Sequence, residues 1–126
     1  MFVAVDEAQG VIGFYSLGAF TLGLENLPEE IARKLPRYDA IPAALIGRLA
    51  RDEKVRGQGI GELLLADAIR RILGACKTLA VFAIMVGAKD EAAVRFYEAF
   101  GFRVFPLQPN RLFLPTASAA MAAARM

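Results

Sequence analysis

The chain has no histidine and a single cysteine, Cys76, among its 126 residues. The first absence removes the commonest general base near neutral pH and the commonest metal ligand, so no metal is expected. The second excludes an internal disulfide. Cys76 ends a helical pattern with no imidazole to activate it, and it reads as a buried structural thiol rather than a nucleophile. Long apolar runs are missing too. The longest uncharged stretch, residues 8–24, is broken by Gly10, Gly13, Gly18 and Gly23, whereas a membrane helix needs about 20 consecutive apolar residues. No basic segment precedes an apolar one at the start, so neither a secretory signal nor a membrane partner is expected, and a cytoplasmic location follows by default.

Basic residues are absent from residues 1–32, which carry Asp6, Glu7, Glu25, Glu29 and Glu30. Residues 33–56 reverse this, with Arg33, Lys34, Arg37, Arg48, Arg51, Lys54 and Arg56 against Asp39, Asp52 and Glu53. The net charge of +2 therefore hides a basic block. Such a block attracts a polyanion, whether a coenzyme's phosphates or a nucleic acid, or else forms an ordinary solvated face. The length suits one domain. A hydrophobic content of 56% and a mean hydropathy of +0.43 are high for a soluble domain of this size.

What the sequence does contain is a glycine loop, Arg56-Gly57-Gln58-Gly59-Ile60-Gly61, between an apolar run and a helical pattern. A strand that turns through glycines into a helix presents unpaired N–H groups at the positive end of the helix dipole, a site suited to phosphate. Glycine lets an anion approach the main chain, and Arg56 adds a charge beside it. A dinucleotide fingerprint fits poorly, because the third glycine comes one residue early and residues 75–79 hold no acid. A Walker loop needs Gly-Lys-Ser/Thr, and here Gly61 is followed by Glu62. The bland alternative is a turn that only joins strand to helix.

Periodicity sets the elements around this loop. Residues 2–5 and 11–20 read as a hairpin about Asp6-Glu7-Ala8-Gln9-Gly10. Pro28, Glu29 and Glu30 begin a short helix with Ile31 and Leu35 on one face, and Pro36 ends it. Residues 41–51 read as a strand opening with Pro42. The helix over residues 58–73 places Ile60, Leu64, Leu65, Ile69, Ile72 and Leu73 on one side, with Glu62, Asp67, Arg70 and Arg71 off it. Asp67 is spaced for weak surface pairs with Arg70 and Arg71. Residues 78–86 read as a buried strand. Asp90 caps a helix carrying Ala93, Val94, Tyr97 and Phe100, which Gly101 stops. Residues 102–105 and 111–114 form two strands joined by a turn around Pro106 and Pro109. The expected fold is α/β in the α+β sense, a mixed sheet with helices on its faces. Residues 1–115 form the domain, and 116–126 an alanine-rich tail, frayed or weakly helical.

The spacing Arg56-x-x-Gly59-x-Gly61 resembles the coenzyme A pyrophosphate loop of the GNAT acetyltransferase superfamily. The segment Phe96-Tyr97-Glu98-Ala99-Phe100-Gly101-Phe102 resembles a second signature of that superfamily, about forty residues on. Together with Gly13-Phe14-Tyr15-Ser16-Leu17, Gly47-Arg48-Leu49-Ala50, residues 89–97 and Arg111-Leu112-Phe113-Leu114, these look like GNAT toxins of bacterial toxin–antitoxin systems, over about residues 2–115. The resemblance implies a mostly antiparallel central sheet flanked by helices. It also implies that the family's first strand and helices are missing here, which makes the chain a truncated, late-started or minimal version. The high hydropathy fits a core with its cover removed, or a tight dimer.

The activity implied is transfer of acetyl from acetyl-CoA, as cosubstrate, to the α-amino group of aminoacyl-tRNA, which blocks translation. On this resemblance the main chain of Leu49, Ala50 and Arg51 holds the pantetheine arm as an added strand does. N–H groups of Gly57, Gly59, Ile60 and Gly61 hold the pyrophosphate, reinforced by Arg56. A main-chain N–H near the strand's end stabilises the developing oxyanion, and Tyr97 protonates the departing thiolate. No general base stands out, and Glu53 reads as solvent-facing. An α-amine, with a pKa of about 8, needs less help than a lysine near 10.4. A ribbon-helix-helix antitoxin and a homodimer are the implied partners. Two other readings stay open: an acetyltransferase for a small amine or peptide, and a non-catalytic coenzyme A-binding module.

Overall fold

The computed structural model of the chain describes residues 1–8, 10–23, 27–33, 40–53, 56–76 and 81–124. Leu35 and Pro36, expected to complete and end the first helix, lie outside them, as do Gln9 of the hairpin turn, residues 78–80 of the expected fourth strand, and Glu25, Lys34, Arg37, Asp39 and Lys54 of the charge pattern.

Two strands, β1 (Phe2–Asp6) and β2 (Gly10–Gly23), form the opening hairpin. Its turn is held by Asp6 Oδ1, which accepts from the Ala8 amide at 2.8 Å, and Gly10 takes a φ of +77° that favours glycine. After α1 (Glu29–Ala32), strand β3 (Ala40–Arg51) runs antiparallel to β2 from Gly13 to Gly23. A crossover through α2 (Ile60–Ala75) brings β4 (Ala83–Gly87) parallel to β3, as parallel neighbours require. Then come α3 (Glu91–Ala99), β5 (Arg103–Phe105), β6 (Gln108–Pro115) and α4 (Thr116–Ala124). The sheet order is β1-β2-β3-β4-β6-β5, and every neighbouring pair except β3–β4 is antiparallel. This is the mixed, mostly antiparallel sheet with flanking helices that the sequence led us to expect.

Strand alternation divides the core into two layers. Tyr15, Ile46, Ile84, Val86, Leu112 and Leu114 face α2, α3 and α4, meeting Leu64, Leu65, Ala68 and Ile72 of α2. Leu22, Ile41, Ala43, Met85, Phe105 and Phe113 face the other way, where Leu27 and the partly buried Ile31 and Ala32 of α1 pack on them. Helix α3 has a defined start and stop. The Asp90 side chain accepts from the Ala93 amide at 2.8 Å. At the other end Gly101 (φ +97°) donates to Glu98 O at 2.9 Å and Phe102 donates to Tyr97 O at 3.2 Å, a Schellman closure sealed by Tyr97–Phe102 ring contact.

Three expectations shift. Strand β4 spans Ala83–Gly87, so that Val81 and Phe82 of the expected strand precede it, with the Phe82 amide still bonded to Pro42 O of β3 at 3.0 Å. Pro109 belongs to β6, not to the turn; it lies between the last β5 pair, Phe105↔Gln108, and the last β4 pair, Gly87↔Arg111, where no ladder amide is missed. The alanine-rich segment expected to be frayed or weakly helical forms α4. Thr116 ties it down through Oγ1 to Val81 O at 2.9 Å, and Ala119 is buried in the core. Among the described residues, no helix is long and apolar enough to cross a membrane.

Candidate functional site

The sheet comes apart in its middle. Strands β3 and β4 pair only from Ala43↔Ala83 to Ile46↔Val86. Beyond that point β3 continues to Arg51 paired with β2 alone, and β4 reaches Gly87 paired with β6 alone. The register supplies the cause: Leu17 pairs with Ile46 and Ser16 with Arg48, so Gly47 is an extra residue that bends β3. A Cβ on Gly47 would stand 2.9 Å from Ser16 Oγ, so the bend is made where the strands approach too closely for a side chain. Among the described residues, the outer edge of Leu49, Ala50 and Arg51 is therefore without a strand partner and is open to an added strand.

The glycine loop follows at once. Arg56 N donates to Glu53 O at 3.1 Å in a turn. Gly57 (φ +81°) and Gly59 (φ +76°) occupy left-handed backbone, and Gly59 is the N-cap of α2 without any side-chain cap. The first-turn amides of Ile60 and Gly61 are thus left for a ligand or solvent. Gly61 faces the Phe96 ring, which a Cβ would meet at 3.5 Å, so the helix start is seated on α3. Helix α2 itself crosses close to β2, since a Cβ on Gly13 would stand 2.7 Å from Leu64 Cδ1 and 2.9 Å from Ala50 O.

Charge around the loop is shared through one carboxylate. Glu53, 81% exposed, lies 3.8 Å from Arg51 Nη1 and 4.0 Å from Arg56 Nη1. It sits in solvent between two guanidinium groups, not enclosed against a reacting group. Arg51 Nη1 is enclosed without a hydrogen-bond partner among the described residues.

Tyr97 is only 6% exposed, with its ring against Phe96 and Phe102. It belongs to the cluster that contains Ile46 and Val86, the last pair before the strands part. Its hydroxyl has no hydrogen-bond partner among the described residues, and burial pushes the phenol above its ordinary pKa. The group therefore holds its proton at neutral pH with nothing else competing for it. The structure thus gathers the split, the free edge of residues 49–51, the loop of residues 56–61 and Tyr97 around α2 and α3.

Cys76 is half-buried, donates weakly to Val81 O at 3.6 Å and has its thiol pKa raised by burial, which keeps it protonated. A groove of about 980 Å³ between β2, the start of β3 and the C-terminal half of α2 is lined by apolar residues such as Leu17, Ala44 and Ile72, with Arg71 as its one charge among the described residues.

A second constellation escaped the sequence reading. The buried Tyr15 hydroxyl donates to Asp67, which also accepts from Arg71 Nε at 3.0 Å. The Arg71 guanidinium lies 4.2 Å over the Phe2 ring, and that ring stacks on Tyr15. The spacing of Asp67 and Arg71 was visible; the tyrosine beneath them was not. Burial, then the Asp67 contact, pushes the Tyr15 phenol up to about 12. The hydrogen bonds from Tyr15 and Arg71 hold Asp67 below the usual carboxylate range. Because the native phenol keeps its proton longer than the unfolded one at about 10, its contribution is complete below pH ~10 and is lost as pH rises toward 12. Urea denaturation between pH 9 and 11 is expected to cost the wild type about 1 kcal/mol more than Tyr15→Phe. Equal slopes for the two proteins would contradict the tyrosine's role.

The acetyltransferase (GNAT) domain profile matches residues 1–104. A probable toxin TacT of Sinorhizobium fredii is 33% identical over 120 residues, which make up 90% of this chain and 66% of the relative. A tRNA-acetylating toxin of Mycobacterium tuberculosis is 38% identical over 104 residues, 82% of this chain and 61% of the relative. Among solved structures, AtaT complexed with acetyl-methionyl-tRNAfMet superposes with a TM-score of 0.84 at 31% identity, over 94% of this chain and 70% of that one. The chain thus spans slightly under two thirds of the length of these two curated relatives.

Proposed function

The chain belongs to the GNAT acetyltransferase family, and from that premise we propose that it transfers acetyl from acetyl-CoA to the α-amino group of aminoacyl-tRNA, as a toxin that blocks translation. The observation that carries this reading is the split between β3 and β4, whose free edge runs straight into an uncapped, glycine-lined helix start. A pantetheine arm fits that edge as an extra strand, with amide groups bonding to Leu49, Ala50 and Arg51. The pyrophosphate then falls on the amides of Gly57, Gly59, Ile60 and Gly61, with the exposed Arg56 beside it.

In the reaction the neutral amine attacks the thioester carbonyl and the carbon–sulfur bond breaks. Main-chain N–H donors near the end of β3 stabilise the transient oxyanion. Sulfur takes the Tyr97 proton as it leaves, the new amide gives its surplus proton to water, and Tyr97 regains one from solvent. With Glu53 solvated between two arginines, no base stands out among the described residues of the site. That suits an α-amine, already partly neutral near pH 8, better than a lysine. The names of the relatives favour the aminoacyl-tRNA acceptor over a small amine or peptide. The same proposal includes a cytoplasmic location, a homodimer and an antitoxin partner of the ribbon-helix-helix class.

The test is transfer of labelled acetyl from acetyl-CoA to a mixture of charged tRNAs by the purified chain. Label on the aminoacyl group supports the proposal. Acetyl-CoA binding with label on small amines only would replace the acceptor, and binding without any transfer would leave a coenzyme-binding module.

A further inference from the structure

On the acetyltransferase reading, the coenzyme occupies the side of the split that bears α2, α3 and Tyr97, and the amine has to arrive from the opposite face of the sheet. That face carries its own pattern. Ser16 and Arg48 are paired and alternate with Tyr15 and Leu49, which face α2, so the Arg48 side chain projects to the far side. Arg111 pairs with Gly87 at the end of β4, and its guanidinium lies 6.0 Å over the ring of Phe20, a far-side residue. Both arginines are exposed, and neither has a carboxylate partner among the described residues. A third far-side cation, Arg103, is by contrast bonded to Glu30 at 2.9 Å.

Between the two unpaired cations lies an opening. The first residue past the last β3–β4 pair is glycine on both strands, Gly47 on β3 and Gly87 on β4. The alternation Ala83, Met85, Gly87 puts the missing Gly87 side chain on the far face, where a Cβ would meet nothing within 4 Å. The far mouth of the split is therefore bare at its centre and positive on both flanks.

We propose that Arg48 and Arg111 bind phosphates of the single-stranded acceptor end of the tRNA, and that Gly87 leaves the gap through which its aminoacyl group reaches the thioester. Two cations on either side of a bare slot fit a chain with charges along its backbone and one neutral-to-cationic group to deliver. A small amine or an uncharged peptide has no use for them.

The full chain is assayed with methionyl-tRNA and, separately, with methioninamide, between 50 and 200 mM salt. Arg48→Gln and Arg111→Gln are each expected to raise KM for methionyl-tRNA about three- to tenfold and to make the log KM against log salt slope shallower by about 0.7. Their rates with methioninamide and their acetyl-CoA affinity by calorimetry should match the wild type. Gly87→Val, whose backbone φ needs no glycine, is expected to slow transfer to both acceptors at least tenfold with acetyl-CoA affinity retained. Wild-type KM and slope in both arginine variants overturn the clamp, and a raised KM with an unchanged slope overturns the phosphate contact. Gly87→Val working at the wild-type rate overturns the route. A wild-type chain that binds no acetyl-CoA instead removes the acetyltransferase reading on which this one rests.

Discussion

Tyr97→Phe is expected to reduce acetyl transfer roughly 100- to 1,000-fold, within the span of a lost general acid, while leaving acetyl-CoA affinity within about twofold. The asymmetry comes from the surroundings of the hydroxyl. The ring fills the core beside Phe96 and Phe102 and helps seal the end of α3, and phenylalanine keeps all of that. The oxygen has no hydrogen-bond partner among the described residues, so its removal strands no buried group. The melting temperature should therefore stay within about 2 °C of the wild type. Single-turnover acetyl transfer, measured beside coenzyme titration, checks both halves. An undiminished rate would show that the thiolate leaves without this proton.

Gly59→Val is expected to weaken acetyl-CoA binding about 100-fold and with it the whole reaction. A Cβ at Gly59 meets only Glu62 Oε2 at 3.8 Å, so crowding is not the cause. The cause is the φ of +76°: a β-branched residue resists this region, and the loop relaxes by turning its amides away from the phosphate position. Two charge-assisted hydrogen bonds of roughly 1.5 kcal/mol each account for a loss of that size. Gly61→Ala makes the contrast, because that glycine has no positive φ and its Cβ would rest on the Phe96 ring at an ordinary distance. Calorimetric titration of the two variants should separate them by at least tenfold, and similar affinities would mean that the amides of this loop do not hold the coenzyme.

The residues that made the fold legible are those whose signal is local. The glycines at 57, 59 and 61, the Asp90 cap, the Gly101 stop and the apolar face of α2 all act within one or two helical turns, and each sits where the pattern placed it. The split in the sheet was not legible. It depends on Gly47 meeting Ser16 across two strands far apart in sequence, and on where β4 stops pairing with β3. The Tyr15–Asp67 bond joins residues 52 positions apart for the same reason. Asp67 and Arg71 looked like a surface pair because periodicity reports which side of a helix a residue lies on, not what a neighbouring strand brings to its rim. The role of Glu53 between Arg51 and Arg56 is a matter of loop shape, which composition does not encode. Alanines at 117, 119 and 120 carry no apolar stripe strong enough to show that α4 docks at Ala119.

Among the described residues, the four paired positions between β3 and β4 are also the only ladder joining one half of the sheet, β1-β2-β3, to the other, β4-β6-β5. Two plates fastened along so short a seam yield there first under load, and the helices spanning one face act as the hinge leaf. A coenzyme laid into the gap lengthens the seam by its own amide bonds. On the proposed function, occupancy by the acetyl donor would then stiffen the protein and lower its exposure to proteases.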